Sequence, residues 1–72
     1  MNSQNLISIM KRFGWRMARQ KGSHIHLKHT SRGGLVTIPY SVFDLPKGTI
    51  KSILRQAGIS IPMSLLGAVL RK

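Results

Sequence analysis

Residues 23–30 leave little choice of conformation, because His24, His26 and Lys28 fall on even positions and Ile25 and Leu27 on odd ones. A period of two belongs to a strand with one side against a core, so the apolar pair faces inward and the histidines and the lysine face out. Such a strand needs partner strands for its backbone groups and an apolar cover for one side only.

That cover must be small. A domain of 72 residues buries only about 60% of the surface its unfolded chain exposes. Without cysteine, neither a disulfide framework nor a thiolate-held zinc supplements the core, and nothing calls for an oxidising compartment. One domain held by packing alone is expected.

Leu6, Ile9, Met10 and Phe13 recur at helical spacing, which predicts a first helix capped by Ser3 and ended by Gly14. A strand over 15–20, a two-residue turn at Lys21-Gly22 and the strand over 23–30 make a hairpin. Ser31-Arg32-Gly33-Gly34 is a second turn, leading to a short strand over 35–38 closed by Pro39. A loop over 40–46 ends at Pro46, and Ile50, Ile53, Leu54 and Ala57 mark a second helix stopped by Gly58. A short third helix beginning near Pro62 would use Leu65, Leu66, Val69 and Leu70. The expected class is α+β: helix, three antiparallel strands, helix, with both helices on one face of the sheet and the other face open. Phe13 and Trp15 are assigned to the core, since so small a domain needs its aromatics there.

Twelve Lys and Arg stand against a single acid, Asp44, for a formal charge of +11. Such a field attracts polyanions, and nucleic acid is the expected partner. A membrane-active basic peptide would gather its cations on one face of an amphipathic helix, whereas here they run through the whole chain. The first five residues lack the features of a secretory signal, and the uncharged run over 59–70 contains Pro62 and Gly67. It falls short of the ~20 apolar residues of a membrane span. A soluble, cytoplasmic protein is expected.

On the open face, His24 is the candidate catalyst: an imidazole beside a phosphodiester can give or take a proton near neutral pH. His26 and Tyr40 are candidates to assist it. Arg16, Arg19, Lys21 and Arg32 around the hairpin, Lys28 on the strand, and the ridge Lys47, Lys51, Arg55 at four-residue spacing are candidates to hold RNA phosphates. A metal site is not expected, because one carboxylate in a positive field suits neither zinc nor hard cations. Serine and cysteine nucleophile mechanisms lack their parts. A basic RNA-binding module without catalysis would share the same charge and fold.

Four segments in order carry a resemblance: Phe13-Gly14-Trp15, then Lys21-Gly22-Ser23-His24, then Val36-Thr37-Ile38-Pro39, then the long run from Leu45-Pro46-Lys47-Gly48 through Ile53-Leu54-Arg55-Gln56-Ala57-Gly58 to Ser60. Together they resemble the HicA toxin family over about residues 3 to 60. The resemblance implies a fold like the double-stranded RNA-binding domain over 1–60, with 61–72 as an apolar extension of it. It also implies metal-independent mRNA cleavage without a cofactor, and a HicB-type antitoxin that binds and blocks the toxin. The family's active-site histidine lies in a Gly-Ser-His motif, and that role passes to His24 alone. Many members place a second histidine two residues after the strand-ending proline, where this chain has Ser41.

Overall fold

The computed structural model describes residues 1–60. Helix α1 (Ser3–Arg12) is followed by strands β1 (Trp15–Lys21), β2 (His24–His29) and β3 (Leu35–Pro39) and by helix α2 (Lys47–Gln56). The strands form one antiparallel sheet in the order β1-β2-β3. The α+β order expected from the sequence is the one observed. The anticipated third helix, with Leu65, Leu66, Val69 and Leu70, and the extension over 61–72 lie outside the described residues.

Both helices feed one core. Leu6, Ile7, Ile9 and Met10 of α1 and Ile50, Ile53 and Leu54 of α2 bury with Ile25 and Leu27 of β2 and with Val36 and Ile38 of β3. The alternation of β2 holds throughout, with Ile25 and Leu27 buried and His24 and Lys28 exposed. Strand β1 contributes only Trp15 to the core and is exposed from Arg16 onward. It is an edge strand rich in Arg and Lys, a composition that discourages pairing with other chains.

Four local expectations need correction. The cap of α1 is Asn2, not Ser3: Asn5 donates its backbone N–H to the Asn2 side chain at 2.9 Å, and Asn2 donates its own to the Asn5 side chain at 3.2 Å. Ser3 is buried instead, with its hydroxyl donating to the Ser41 carbonyl. The hairpin turn is Gly22-Ser23, not Lys21-Gly22, because Lys21 pairs with His24. Gly22 has φ +59° and no non-glycine residue among the described ones has positive φ, so only the first turn position is left-handed. That is the type II′ pattern, whose twist suits a two-residue hairpin. The second strand is accordingly His24–His29, shorter than 23–30. Finally, Phe13 is the C-cap of α1 and is 43% exposed, so it is not a core aromatic.

Candidate nucleic-acid interface

Residues opposite one another in an antiparallel pair project to the same face, so the register of β1 against β2 decides which cations share the open side with His24. Strict alternation would send Arg16 and Arg19 to opposite faces. Instead, Met17 stands opposite Leu27 and Arg19 opposite His26, so Ala18 is an extra residue in β1. This β-bulge resets the alternation, as bulges do. Three successive pairs then fall on the open face: Arg16 with Lys28, Arg19 with His26, and Lys21 with His24.

Every member of those pairs is a Lys, an Arg or a His. Opposed cations weaken a sheet, and Arg16 with Lys28 sets two full charges against each other. The one acid of the chain, Asp44, offers no relief, since its carboxylate receives the Met1 amino group at 2.5 Å. Among the described residues, no carboxylate therefore compensates the positive charge along the β1-β2 half of the face. Ala18, Arg19, Lys28, Gly34 and Leu35 line a shallow depression in it.

The three histidines occupy different settings. His24 is exposed at the turn end of β2, directly opposite Lys21. His26, half-buried, shares a hydrogen bond of 3.0 Å between its Nδ1 and Thr37 Oγ1, its register partner on β3. His29 turns to the other face. Its Nδ1 accepts the Ser31 backbone N–H at 3.0 Å, which leaves Nε2 to donate to the Phe13 carbonyl at 2.7 Å. Its ring also meets Trp15 edge to face, with centroids 5.1 Å apart. His29 thus ties the end of α1 to the loop after β2 and is spent on the fold. Among the described residues no three His, Cys, Asp or Glu side chains gather as a metal site.

The remaining candidates divide by position. Tyr40 is half exposed and donates its backbone N–H to the Ser23 carbonyl at 2.7 Å, which brings it to the His24 end of the sheet. Arg16 and Lys28 share the open face but lie four residues along the strand from His24, about 13 Å. Arg32 does not belong near His24: it follows the far end of β2, and its guanidinium donates to the Ala57 carbonyl at 2.5 Å, capping α2. Lys47, Lys51 and Arg55 are exposed on α2, which covers the opposite face of the sheet, so this ridge does not converge with His24.

Sequence reasoning missed the bulge and Thr37. The signal for the bulge was the apolar alternation of Trp15 and Met17 lapsing at Ala18. Thr37 lies between inward Val36 and Ile38, so its outward position was readable from period alone.

Among the described residues, no helix is long and apolar enough to cross a membrane. None of the curated proteins searched matches the chain. The sequence model of the family described as "HicA toxin of bacterial toxin-antitoxin" matches residues 3–59. That span runs from the first helical residue to just past α2 and includes all three strands. The family's description makes its members toxins of toxin-antitoxin pairs, each with a cognate antitoxin partner. By a match over well more than half of its length, taking in the whole basic face and His24, this chain belongs to the HicA family of toxins from bacterial toxin-antitoxin systems.

Proposed function

We propose that this protein is a metal-independent endoribonuclease, in which the open sheet face holds RNA and His24 moves a proton at the scissile phosphate. The observation that carries the reading is the run of three basic cross-strand pairs ending at Lys21 and His24. Arg16, Arg19, Lys21 and Lys28 supply charge along a phosphate backbone. Lys21, opposite His24, is the cation nearest the reacting group. Arg32, Lys47, Lys51 and Arg55 lie apart from it and act in the fold or in long-range attraction.

The chemistry uses the RNA's own 2′-hydroxyl. Its oxygen attacks phosphorus, the bond from phosphorus to the 5′-oxygen breaks, and the products are a 2′,3′-cyclic phosphate and a free 5′-hydroxyl. His24 takes the 2′-hydroxyl proton as base or supplies the proton the 5′-oxygen needs as acid. His26 and Tyr40 are the candidates to assist. No cofactor is required by this sequence of steps, and the donor set, one exposed carboxylate already engaged by an amino group, suits no catalytic cation. The reaction belongs in the cytoplasm, with the mRNA.

The antitoxin is expected to present an acidic surface that covers His24, since opposite charge raises both association rate and specificity against a partner at +11. A complex leaving the His24 face open would remove occlusion as the means of inhibition.

Purified protein incubated with unpaired RNA and EDTA tests the activity. Wild type should cut and leave cyclic-phosphate ends, while His24→Ala should bind RNA but cut ~10² to 10⁴ times more slowly. Equal cleavage by both proteins would remove His24 as the catalyst, and none by wild type would leave a non-catalytic RNA-binding module as the better reading.

A further inference from the structure

The loop between β3 and α2 exposes apolar surface that the described residues leave uncovered. Tyr40 is 50% exposed, Val42 63% and Phe43 79%. The chain has only four aromatic residues of the Phe, Trp and Tyr type. Two of them therefore stand on one short loop outside the core.

That loop is pinned rather than slack. Tyr40 donates its backbone N–H to the Ser23 carbonyl. Ser41 donates its backbone N–H to Ser3 Oγ at 3.0 Å and accepts at its carbonyl from the same hydroxyl at 2.9 Å. Ser41 Oγ accepts the Phe43 N–H and donates to the Phe43 carbonyl, both at 3.0 Å. Leu45 donates its N–H to the Met1 carbonyl at 2.7 Å. Two exposed rings on a fixed backbone lose little freedom on binding, which favours a ligand that meets them face on.

Its position matters equally. Pro39 is the register partner of His24, so the Tyr40 Cα lies within about 9 Å of the His24 Cα. Flat apolar faces joined to an anionic backbone describe unpaired RNA, whose bases stack on aromatic rings while its phosphates meet cations. A duplex hides those faces. We propose that Tyr40 and Phe43 form a stacking platform for unpaired nucleobases, seating a single-stranded segment so that an adjoining phosphate reaches Lys21 and His24. This inference rests on the RNA-cleaving reading and narrows its substrate to unpaired strands. A protein partner seated on the same loop is the rival occupant, and its signature differs, because it would leave RNA affinity independent of these rings.

The test uses the full chain carrying His24→Ala, which binds without cutting, and a labelled unpaired oligoribonucleotide followed by anisotropy over a range of salt. Tyr40→Leu and Phe43→Leu keep apolar bulk and remove the aromatic face, and Tyr40→Phe keeps the face. Each leucine variant should bind at least about fivefold more weakly, with an unchanged salt slope, while Tyr40→Phe stays within about twofold. An abasic strand of the same length should bind weakly and ignore all three substitutions. Leucine variants that bind as tightly as the parent, or that lose the same factor on the abasic strand, would overturn the platform while leaving the RNA reading intact. Absence of any salt-dependent RNA binding by the parent would overturn both.

Discussion

Ser3 and Ser41, 38 residues apart, hold each other through three hydrogen bonds: the Ser3 N–H and hydroxyl both donate to the Ser41 carbonyl, at 3.2 and 2.9 Å, and the Ser41 N–H donates to Ser3 Oγ at 3.0 Å. This contact satisfies one of the N–H groups that the first turn of α1 cannot bond internally, and it fixes the loop bearing Tyr40 and Phe43. Ser3→Ala removes two of the three bonds and leaves the Ser41 N–H without its acceptor. A loss of roughly 1–3 kcal/mol is expected, seen as a melting temperature lower by several degrees. An unchanged melting curve would mean that the loop is held elsewhere.

The histidines should separate cleanly by substitution. His29→Ala breaks the bonds to Phe13 and Ser31 and the contact with Trp15, so it should cost roughly 1–3 kcal/mol. His24→Ala, at an exposed position, should leave the melting temperature within about 2–4 °C of wild type, the range of the usual ±0.5 kcal/mol of a surface change. Denaturant titration of both variants checks the contrast, and equal losses would contradict the assignment of His29 to the fold and His24 to the site.

Salt dependence distinguishes the two basic surfaces. Four fixed cations on the open face, Arg16, Arg19, Lys21 and Lys28, predict a slope near −3 for log affinity against log salt on single strands, since each phosphate contributes about −0.7. Replacing Arg19 or Lys21 with Gln should lower the magnitude by about 0.7. Lys51→Gln, on the helical side of the domain, should leave the slope where it was. A larger effect at Lys51 than at Lys21 would move the RNA to the helices.

Arg32 and Gly58 form one capping unit. Gly58 has φ +72°, and a Cβ there would collide with the Arg32 guanidinium. Gly58→Ala therefore meets both backbone strain and a displaced cap, and Arg32→Ala exposes the end of α2. Each should destabilise by roughly 1–2 kcal/mol by thermal melting while changing RNA affinity less than Lys21→Gln does. Strong loss of RNA binding with unchanged stability in Arg32→Ala would restore this residue to the interface.

The parts legible in sequence were those decided by local period. Ile25 and Leu27 against His24, His26 and Lys28 suffice to orient β2, because only one side of a three-stranded sheet can be covered here. Ile50, Ile53, Leu54 and Ala57 likewise marked the buried side of α2. What escaped was decided by distant contacts. Asn2 and Ser3 are both good caps, and the choice between them depends on Ser41. Arg32 reads as one more surface cation until Ala57 is placed beside it, 25 residues on. The grouping of Arg16 with Arg19 and Lys21 needed the register of β1, which one extra residue at Ala18 changes.

The alternation of β2 has a consequence for how this domain can change by descent. Residues that make it fold and residues that give its open face a purpose take turns along a single strand, so a substitution at position 24 strikes one set without touching the other. A lineage that loses the histidine keeps a folded domain with most of its charged surface. If His24 is the catalyst, as proposed, such a copy is harmless itself yet still competes for whatever recognises the intact protein, so the alternation of one strand makes a disarmed form a natural decoy.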